Sequence, residues 1–378
     1  MNPKKKKLIF IVTEDWYFYS HRLPLAREAK RRGYSVVVAT RVQEHGERIL
    51  AEGFILLPIG MLRRSKNPLK EFASLLELIQ LYRTERPDIV HHVAVKPVVY
   101  GSIAARLARV PRIINAIAGM GYVFSSNSIK AKALRPFIKS VLKFLLNRST
   151  TRTIFQNPDD QNMLIQEGIV RRELTTLIRG SGVDPQTYSP APEPTGIVTI
   201  VLASRMLWDK GIGEFVEAAR MLKTDRIKAR FVLVGDTDDG NFAAVPTAQL
   251  DAWSRSGIVE WWGKRDDIPQ IFAASHIVCL PSAYGEGVPK VLIEAASCGR
   301  PIVTTDAPGC REIVRNNENG LLVPIRDHVA LAQALRTLIN DSSLRTKMGT
   351  RGREIVLEEF TIEKVVGETL SLYQSLFP

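Results

Sequence analysis

Short apolar runs alternate along the chain with segments whose apolar positions recur at helical spacing. Near the start, residues 8–13 form such a run, residues 23–32 have helical spacing and end at Gly33, and residues 34–40 form the next run. Buried strands that alternate with amphipathic helices are typical of βαβ units, and these units build parallel sheets. The pattern therefore predicts an α/β fold.

The same alternation continues and then occurs a second time. In the first half, we predict strands at 54–57, 88–91, 112–116 and 154–156, the last closing the sheet, and helices at 43–52, 68–84 and 97–107. In the second half, we predict strands at 197–203, 230–235, 258–262, 276–280, 302–305 and 321–323, and helices at 212–222 and 362–376. Two α/β domains are expected.

Domain boundaries follow from length and composition. A chain of 378 residues exceeds the usual size of one domain. Residues 181–195 are rich in proline and follow Gly180, as is typical of a linker. We predict one domain at 1–180, a second at 196–360, and a final helix at 361–378.

The stretch 282–306 has the most specific pattern: a strand leads through a glycine turn into a helix and a further strand. Pro289 suits the first turn of this helix. The unpaired amides of a helix start carry partial positive charge and suit a phosphate group. Glu286 lies in the turn and Glu294 in the helix, where a carboxylate can accept hydrogen bonds from sugar hydroxyls.

Two cations stand in another turn between a predicted strand and a predicted helix. Arg205 and Lys210 follow the strand at 197–203 and precede the helix at 212–222. Ligands of open α/β sheets bind at the carboxyl ends of the strands. We therefore predict that this pair clamps a diphosphate and neutralises it as a leaving group. A basic surface turn is the alternative.

Two further positions are candidates for nucleotide contacts. Gly235 ends a predicted strand, and a glycine there lets a nucleotide approach the backbone. Arg265 follows Trp261 and Trp262 in a charged loop. A core tryptophan pair with a charged loop is an equal alternative for this segment.

These motifs together resemble the signature of the retaining family-4 glycosyltransferases. The resemblance rests on Glu286-Gly287-Val288-Pro289, the seven residues between the two glutamates, Cys298-Gly299-Arg300-Pro301-Ile302-Val303, and the Arg-x4-Lys spacing of Arg205 and Lys210. It implies the GT-B fold, in which two Rossmann-like domains with parallel sheets face across a cleft, and a last helix that packs back on the first domain. The implied catalytic residues are Glu286, Arg205 and Lys210, and the implied donor-binding residues are Glu294, Gly287, Val288, Pro289, Lys290, Gly235 and Arg265.

Candidates for the acceptor side lie in three loops of the first half. Glu14 and Asp15 follow the first strand, where many relatives have a glycine-rich turn instead. Lys96 lies beside the position at which many relatives have a histidine, and we expect it to contact an anion. Gly119 and Gly121 resemble a Gly-x-Gly loop of relatives that act on lipid-linked sugars, and exposed amides there could hold a diphosphate. A plain loop is the alternative.

The positive charge is concentrated in the first half. The whole chain has a net charge of +13, and there is no acidic residue between Asp88 and Asp159. Within that span, residues 134–146 have apolar positions at helical spacing, with Lys132, Arg135, Lys139 and Lys143 opposite. A basic amphipathic helix of this kind suits an anionic membrane surface, whereas the alternative is a core-facing helix with a solvated basic side.

The predicted function is retaining transfer of a sugar from a nucleotide-diphospho-sugar, UDP-linked hexose or N-acetylhexosamine, to a polyprenyl-diphosphate-linked sugar in polysaccharide or glycan assembly. We expect no metal and no resident cofactor, an anionic membrane surface as a partner, and no nucleic acid. Three cysteines without metal-like spacing fit a reducing cytoplasm. The expected location is therefore peripheral, on the inner face of the cytoplasmic membrane.

Two other functions remain open from the sequence. A nucleotide-sugar epimerase shares the fold but needs no membrane. A basic module that binds membranes or nucleic acid would explain the positive charge of the first half. It would not explain the two glutamates, Glu286 and Glu294, and the cation pair, which lie in the second half.

Overall fold

The computed structural model divides into two compact units. It describes residues 5–63, 67–119, 129–238, 241–283 and 285–377, with the backbone alone for 129–133. Unit 1 comprises residues 1–181 and 363–378, and unit 2 comprises residues 182–362. Gly121 and the side chain of Lys132, both predicted to be functional, lie outside what is described.

Unit 1 is built on a seven-stranded sheet in which every paired strand is parallel. The sheet order is β3-β2-β1-β4-β5-β6-β7. Its strands are β1 (Lys7–Glu14), β2 (Ser35–Arg41), β3 (Ile55–Pro58), β4 (Ile89–Val93), β5 (Ile113–Ile117), β6 (Thr151–Phe155) and β7 (Thr175–Leu177).

The helices of unit 1 connect these strands in the alternation that the sequence predicts. They are α1 (Asp15–His21), α2 (Leu23–Arg31), α3 (Gly46–Ala51), α4 (Pro68–Glu85), α5 (Val95–Leu107), α6 (Ile129–Leu146) and α7 (Pro158–Gln166). Pro136 lies inside α6 rather than at its start. Central strands such as β4 and β5 are buried along their whole length, because helices cover both faces of a parallel sheet.

The first sheet does not end where we predicted. Residues 154–156 were expected to close it, but β7 pairs with β6 on the outer edge. β7 has only three residues, all half-buried, so it lacks the apolar run that identifies a buried strand in a sequence.

Unit 2 repeats the scheme with six parallel strands in the order β10-β9-β8-β11-β12-β13. The strands are β8 (Val198–Ala203), β9 (Ala229–Val234), β10 (Glu260–Trp261), β11 (Ile277–Leu280), β12 (Ile302–Thr305) and β13 (Gly320–Val323). The helices are α8 (Ile212–Thr224), α9 (Thr247–Arg255), α10 (Ile268–Ala273), α11 (Lys290–Ser297), α12 (Cys310–Ile313), α13 (His328–Asn340) and α14 (Ser342–Glu359). The fold class is thus confirmed as α/β with two Rossmann-like parallel-sheet units.

The last helix, α15 (Ile362–Ser375), contributes almost all of its length to unit 1. The hydroxyl of Tyr373 on this helix is fully buried and hydrogen-bonded to Nδ1 of His91 on β4. Among the described residues, no helix combines the length and the apolar character that crossing a bilayer requires.

Each sheet reverses its strand order at one point, between β1 and β4 in unit 1 and between β8 and β11 in unit 2. The connections that follow these strands leave in opposite directions and open a crevice at their carboxyl ends, where ligands of open α/β sheets bind. We call these two places the switch points.

Candidate active site

The switch point of unit 2 brings together two of the predicted catalytic residues. Lys210 lies in the turn after β8 and Glu286 in the turn after β11, and Lys210 Nζ is 2.5 Å from Glu286 Oε2. The hydroxyl of Ser282 donates to the other carboxylate oxygen, Oε1, at 2.7 Å. These residues are distant in sequence but adjacent in space because β8 and β11 are neighbours in the sheet.

The surroundings of Glu286 keep its carboxylate ionised. Burial raises the pKa of this carboxyl group, but the charge and hydrogen bond of Lys210, the hydrogen bond from Ser282 and the charge of Arg205 together lower it by more. The net pKa of Glu286 therefore lies below its usual range. An ionised carboxylate accepts hydrogen bonds only, so this group can hold hydroxyls of a ligand at neutral pH.

The guanidinium of Arg205 forms an ion pair with the Asp238 carboxylate. Oδ2 of Asp238 also accepts from the Asn241 side chain at 3.0 Å. Asp238 belongs to Asp236-Thr237-Asp238, which has the outline of a metal-binding Asp-x-Asp motif. In this structure its second carboxylate neutralises and orients the arginine instead.

Glu294 lies one helix turn after Lys290 on α11, and their charged groups are 3.0 Å apart. The carboxylate of Glu294 is close to the hydroxyl of Tyr188, whose pKa is raised by burial and by this neighbouring charge. Gly287, Val288 and Pro289 lead into α11, which begins at Lys290. The start of α11 thus lies directly after the turn that carries Glu286, as the sequence predicted for an anion site.

Two glycines fix the shape of the site by close backbone contacts. A Cβ at Gly235 would lie 1.8 Å from the carbonyl oxygen of Ser204, and one at Gly309 would lie 1.6 Å from that of Gly287. Both glycines have positive φ values, of 136° and 80°. Gly235 therefore allows the loop after β9 to touch the loop after β8, a role that the sequence did not indicate.

Strand β10 and the loop after it hold the tryptophan pair and the charged residues, but Trp262 is 37% exposed and does not lie in the core. Nε1 of Trp261 donates to the carbonyl oxygen of Gly235 at 2.9 Å, which ties this segment to the loop after β9. Arg265 forms a bidentate pair with Asp267 at 2.7 and 2.6 Å on an exposed surface. The structure does not bring Arg265 into contact with Arg205, Lys210 or Glu286, and its contact with a base stays a prediction.

In unit 1, the predicted carboxylates bond to neighbouring parts of the fold. The fully buried Asp15 carboxylate accepts from the backbone amides of Trp16, Gln43 and His45, at 2.7, 2.6 and 2.9 Å. Glu14 is also buried, 3.9 Å from Arg41. Asp15 therefore stabilises the loop after β2, and direct contact of either carboxylate with an acceptor stays a prediction.

Lys96 was expected to contact an anion, and in the structure its partners belong to the protein. Its ammonium donates to the Glu71 carboxylate at 2.8 Å and to the carbonyl oxygen of Leu62 at 2.5 Å. Gly119 lies just after β5 with a φ of 103°. The Gly-x-Gly diphosphate site stays a prediction, because its second glycine is outside the described residues.

The basic helix α6 has two different apolar stripes. Leu142, Leu145 and Leu146 are buried in the core of unit 1, as the core-facing alternative required. Phe137 and Phe144 lie on another side and are 67% and 69% exposed. Part of this helix therefore faces the core, and contact of its exposed side with a membrane stays a prediction.

The cations of α6 are less isolated than the sequence suggested. Lys139 pairs with Glu167 at 2.7 Å, so the absence of acids in the local sequence does not mean an absence of acids in space. Arg135 is half-buried and Lys143 is exposed.

Four site residues were not identified from the sequence: Ser282, Asp238, Gly309 and Tyr188. Two of them had a local signal in the sequence. Ser282 is a hydroxyl residue at the end of an apolar run, and Gly309 follows Pro308 and precedes a short helix. The pairing of Asp238 with Arg205 had none, because 33 residues separate them.

Two family models match the chain. The model "Glycosyl transferase 4-like" matches residues 7–157, and "Glycosyl transferases group 1" matches residues 197–341. The first lies within unit 1 and the second within unit 2.

Curated relatives match over most of their length. An N,N'-diacetylbacillosaminyl-diphospho-undecaprenol alpha-1,3-N-acetylgalactosaminyltransferase of Campylobacter jejuni is 27% identical over 353 residues, which are 90% of this chain and 91% of the relative. A UDP-Gal:alpha-D-GlcNAc-diphosphoundecaprenol alpha-1,3-galactosyltransferase of Escherichia coli is 29% identical over 329 residues, covering 83% and 82%.

Among solved structures, Anabaena Alr3699/HepE in complex with UDP and glucose superposes with a TM-score of 0.78 at 21% identity, covering 98% of this chain and 100% of that one. A glycosyltransferase from Rickettsia africae has a TM-score of 0.79 at 18% identity, covering 99% of both chains. These likenesses show the fold. The two family models, which together match more than half of the chain, establish that it belongs to the group 1, family-4-like glycosyltransferases.

Proposed function

We propose that this enzyme transfers a hexose or N-acetylhexosamine, with retention of configuration, from a UDP-linked donor to a sugar carried on polyprenyl diphosphate. The observation that carries the proposal is the contact of Lys210 with an ionised Glu286 at the switch point of unit 2. A cation for a diphosphate and a carboxylate for sugar hydroxyls are there side by side.

In the proposed reaction, Arg205, Lys210 and the amides at the start of α11 stabilise the diphosphate as its bond to the sugar breaks. Glu286 accepts hydrogen bonds from hydroxyls of the donor sugar, and Glu294 from those of the ribose. Lys210 is already bonded to Glu286, so it can couple the position of the sugar to that of the diphosphate. The proton of the attacking hydroxyl passes to the leaving diphosphate, and attack occurs on the face from which it departs.

The acceptor and the anomeric outcome are supported by the relatives. The names of both curated relatives specify a diphosphoundecaprenol-linked acceptor and an alpha-1,3 product. The E. coli relative uses UDP-Gal by its name, and the solved Alr3699/HepE structure contains UDP.

The reaction is proposed to be independent of metal. The charge that a metal would supply at the diphosphate is available from Arg205 and Lys210. The Asp238 carboxylate, which could otherwise bind a cation, is paired with Arg205. Turnover that persists in excess EDTA supports this part of the proposal, and loss that manganese or magnesium restores contradicts it.

The direct test incubates purified protein with a panel of UDP- and GDP-sugars, with and without a synthetic polyprenyl-diphosphate sugar. We expect a lipid-linked product only with acceptor, and an α-linkage by NMR when the donor is α-linked. Epimerised donor in the absence of acceptor would favour the epimerase, and a β-linked product would contradict retention.

We further propose that unit 1 holds the enzyme at an anionic membrane surface on the cytoplasmic side. Phe137 and Phe144 are exposed on α6 near Lys143. On α4, Leu69, Phe72 and Leu76 form a second exposed stripe at helical spacing, 77%, 59% and 50% exposed. Each cation near an anionic surface contributes about 1 kcal/mol, and exposed aromatic side chains add apolar insertion.

Liposome flotation tests this attachment. Wild type should float with vesicles rich in phosphatidylglycerol and much less with phosphatidylcholine or at high salt, whereas Phe137→Ser/Phe144→Ser should stay in solution. Leu357→Ser, which removes an apolar side chain that is 50% exposed in unit 2, serves as the matched control and should float. Wild type that remains in solution with every lipid contradicts the attachment.

A further inference from the structure

Unit 2 contains a cavity that the proposed transfer does not use. It has a volume of about 530 Å³ and lies beside the turn that carries Arg205 and Lys210. Loops at the carboxyl ends of β8, β11 and β13 contribute to it, together with the first turns of α8 and one face of α9. Its side chains differ in kind from those of the diphosphate clamp.

Two tryptophans form one wall of this cavity. Trp208 and Trp253 meet edge to face, with ring centroids 5.9 Å apart and planes at 89°. Trp208 is 42% exposed, although a tryptophan is among the costliest side chains to leave in water. A Cβ at Gly213 would lie 3.3 Å from the Trp208 ring, so the glycine lets the indole approach α8 closely.

Hydrogen-bonding groups of both kinds surround the tryptophans. Asp209, Glu214 and Glu217 supply carboxylates, and Arg326 and His328 supply donors. Within the described residues, neither the Asp209 nor the Glu214 carboxylate has a hydrogen bond or ion pair with another side chain. Glu217 forms a half-exposed pair with Arg220, at 3.3 Å.

This combination matches the chemistry of a sugar ring. The C–H face of a pyranose is apolar and packs against an indole, while its hydroxyls donate to carboxylates and accept from cationic donors. A simple cation would be attracted by the three carboxylates but repelled by Arg326, and it would make no use of that donor. A phosphate would be repelled by the carboxylates.

We propose that this cavity is a second carbohydrate-binding subsite, which holds a neutral pyranose of a glycan against Trp208 and Trp253. It is distinct from the donor site, because its carboxylates and tryptophans lie outside the Lys210–Glu286 pair. The inference does not rest on the proposed transfer reaction. A glycan can bind here whether or not the donor is a UDP-sugar.

The test is saturation-transfer NMR of the whole protein with two neutral probes, cellotriose and triacetylchitotriose, each measured with and without saturating UDP. We expect at least one probe to bind, and UDP to leave its binding unchanged. If the protein binds a probe but does not bind UDP, the donor assignment is wrong and the subsite still stands. The two proposals therefore fail separately.

Two variants locate the binding. Glu214→Gln/Glu217→Gln keeps side-chain size and removes two of the three carboxylates, and it should weaken binding of the probe at least about tenfold, since hydrogen bonds to charged groups are stronger than those to neutral ones. Trp253→Phe should also weaken it. Glu354→Gln, an exposed glutamate of α14, is the control and should bind as wild type does. Failure of both probes with wild type, or equal binding by the cavity variants, overturns the subsite.

Discussion

The two switch points have the same topology but use their polar residues differently. In unit 2, the side chains that follow the two central strands meet each other, with Lys210 2.5 Å from Glu286. In unit 1, the corresponding side chains bond instead to neighbouring segments of the fold. Asp15 binds three backbone amides, and Lys96 binds Glu71 and a carbonyl group.

The difference shows that a charged residue at a switch point can be engaged by the fold itself. Asp15 and Lys96 bond to neighbouring segments of unit 1 and stabilise its fold, whereas the Lys210–Glu286 pair joins the two loops that border the crevice. In the proposed reaction, unit 2 supplies the charged groups of the chemistry and unit 1 supplies shape and surface charge.

The largest expected effect is the loss of turnover when a charged residue at the switch point of unit 2 is removed. Arg205→Ala should lower kcat about 100-fold or more, the range expected when one stabiliser of developing charge is removed. Arg230→Ala is the matched control, because Arg230 is also an arginine of unit 2 paired with an acid, Glu260. Measured with the preferred donor and a lipid-linked acceptor, this control should retain nearly full activity. Near-normal turnover of Arg205→Ala would contradict the proposal that Arg205 stabilises the leaving diphosphate.

A second change tests the backbone that shapes the site of unit 2. Gly309→Ala should lower the free energy of unfolding by about 4 kcal/mol, since the new Cβ collides with the Gly287 carbonyl and adds the strain of a positive φ. Gly257→Ala has a similar φ of 68° but meets only a lysine tip at 3.6 Å, and it should cost about 1–2 kcal/mol. Equal losses for the two variants in urea unfolding would show that the close contact is unimportant.

A third prediction concerns how the stability of unit 1 depends on pH. Burial lowers the pKa of His91 and lowers that of His92 to about 4, so both are neutral in the folded state. Between pH 6.5 and 4 the unfolded state binds the extra proton, and stability is therefore lost as pH falls through this window. His92 alone should contribute roughly 3 kcal/mol to the loss.

Urea unfolding at a series of pH values measures this effect. His92→Gln, which cannot titrate, should show a shallower dependence on pH than wild type, even if it is less stable at pH 7. An unaltered slope in His92→Gln would contradict the account of the buried histidines.

The sequence was sufficient for most of the fold because strands and helices are local patterns. β1, β8 and β12 lie within one or two residues of their predicted bounds. The short edge strand β7 was not predicted, because three half-buried residues are too few to show a periodic pattern. The helices α13 and α14 were not predicted. The buried stripe of α14 contains Arg345, Gly349 and Gly352 beside Met348, Ile355 and Val356, so only half of its positions are apolar enough to indicate a helix from the sequence.

The candidate site was predictable as a set of residues but not as a set of contacts. Arg205, Lys210 and Glu286 were identified by motif, yet the partners Asp238 and Ser282 depend on which loops meet in space. The same limit affected unit 1. The sequence suggested that Lys96 could bind an anion of a ligand, but in the fold its ammonium is paired with Glu71, 25 residues earlier.

The most direct test of the central claim compares these two lysines, each of which is paired with a glutamate. Calorimetric titration with UDP and with GDP should give the affinity of wild type, Lys210→Ala and Lys96→Ala for the nucleotide that wild type prefers. We expect Lys210→Ala to bind at least about tenfold more weakly, because a charged hydrogen bond to the diphosphate is lost, and Lys96→Ala to bind as wild type does. Unchanged affinity of Lys210→Ala, or an equal loss in both variants, would contradict the placement of the donor diphosphate at the switch point of unit 2.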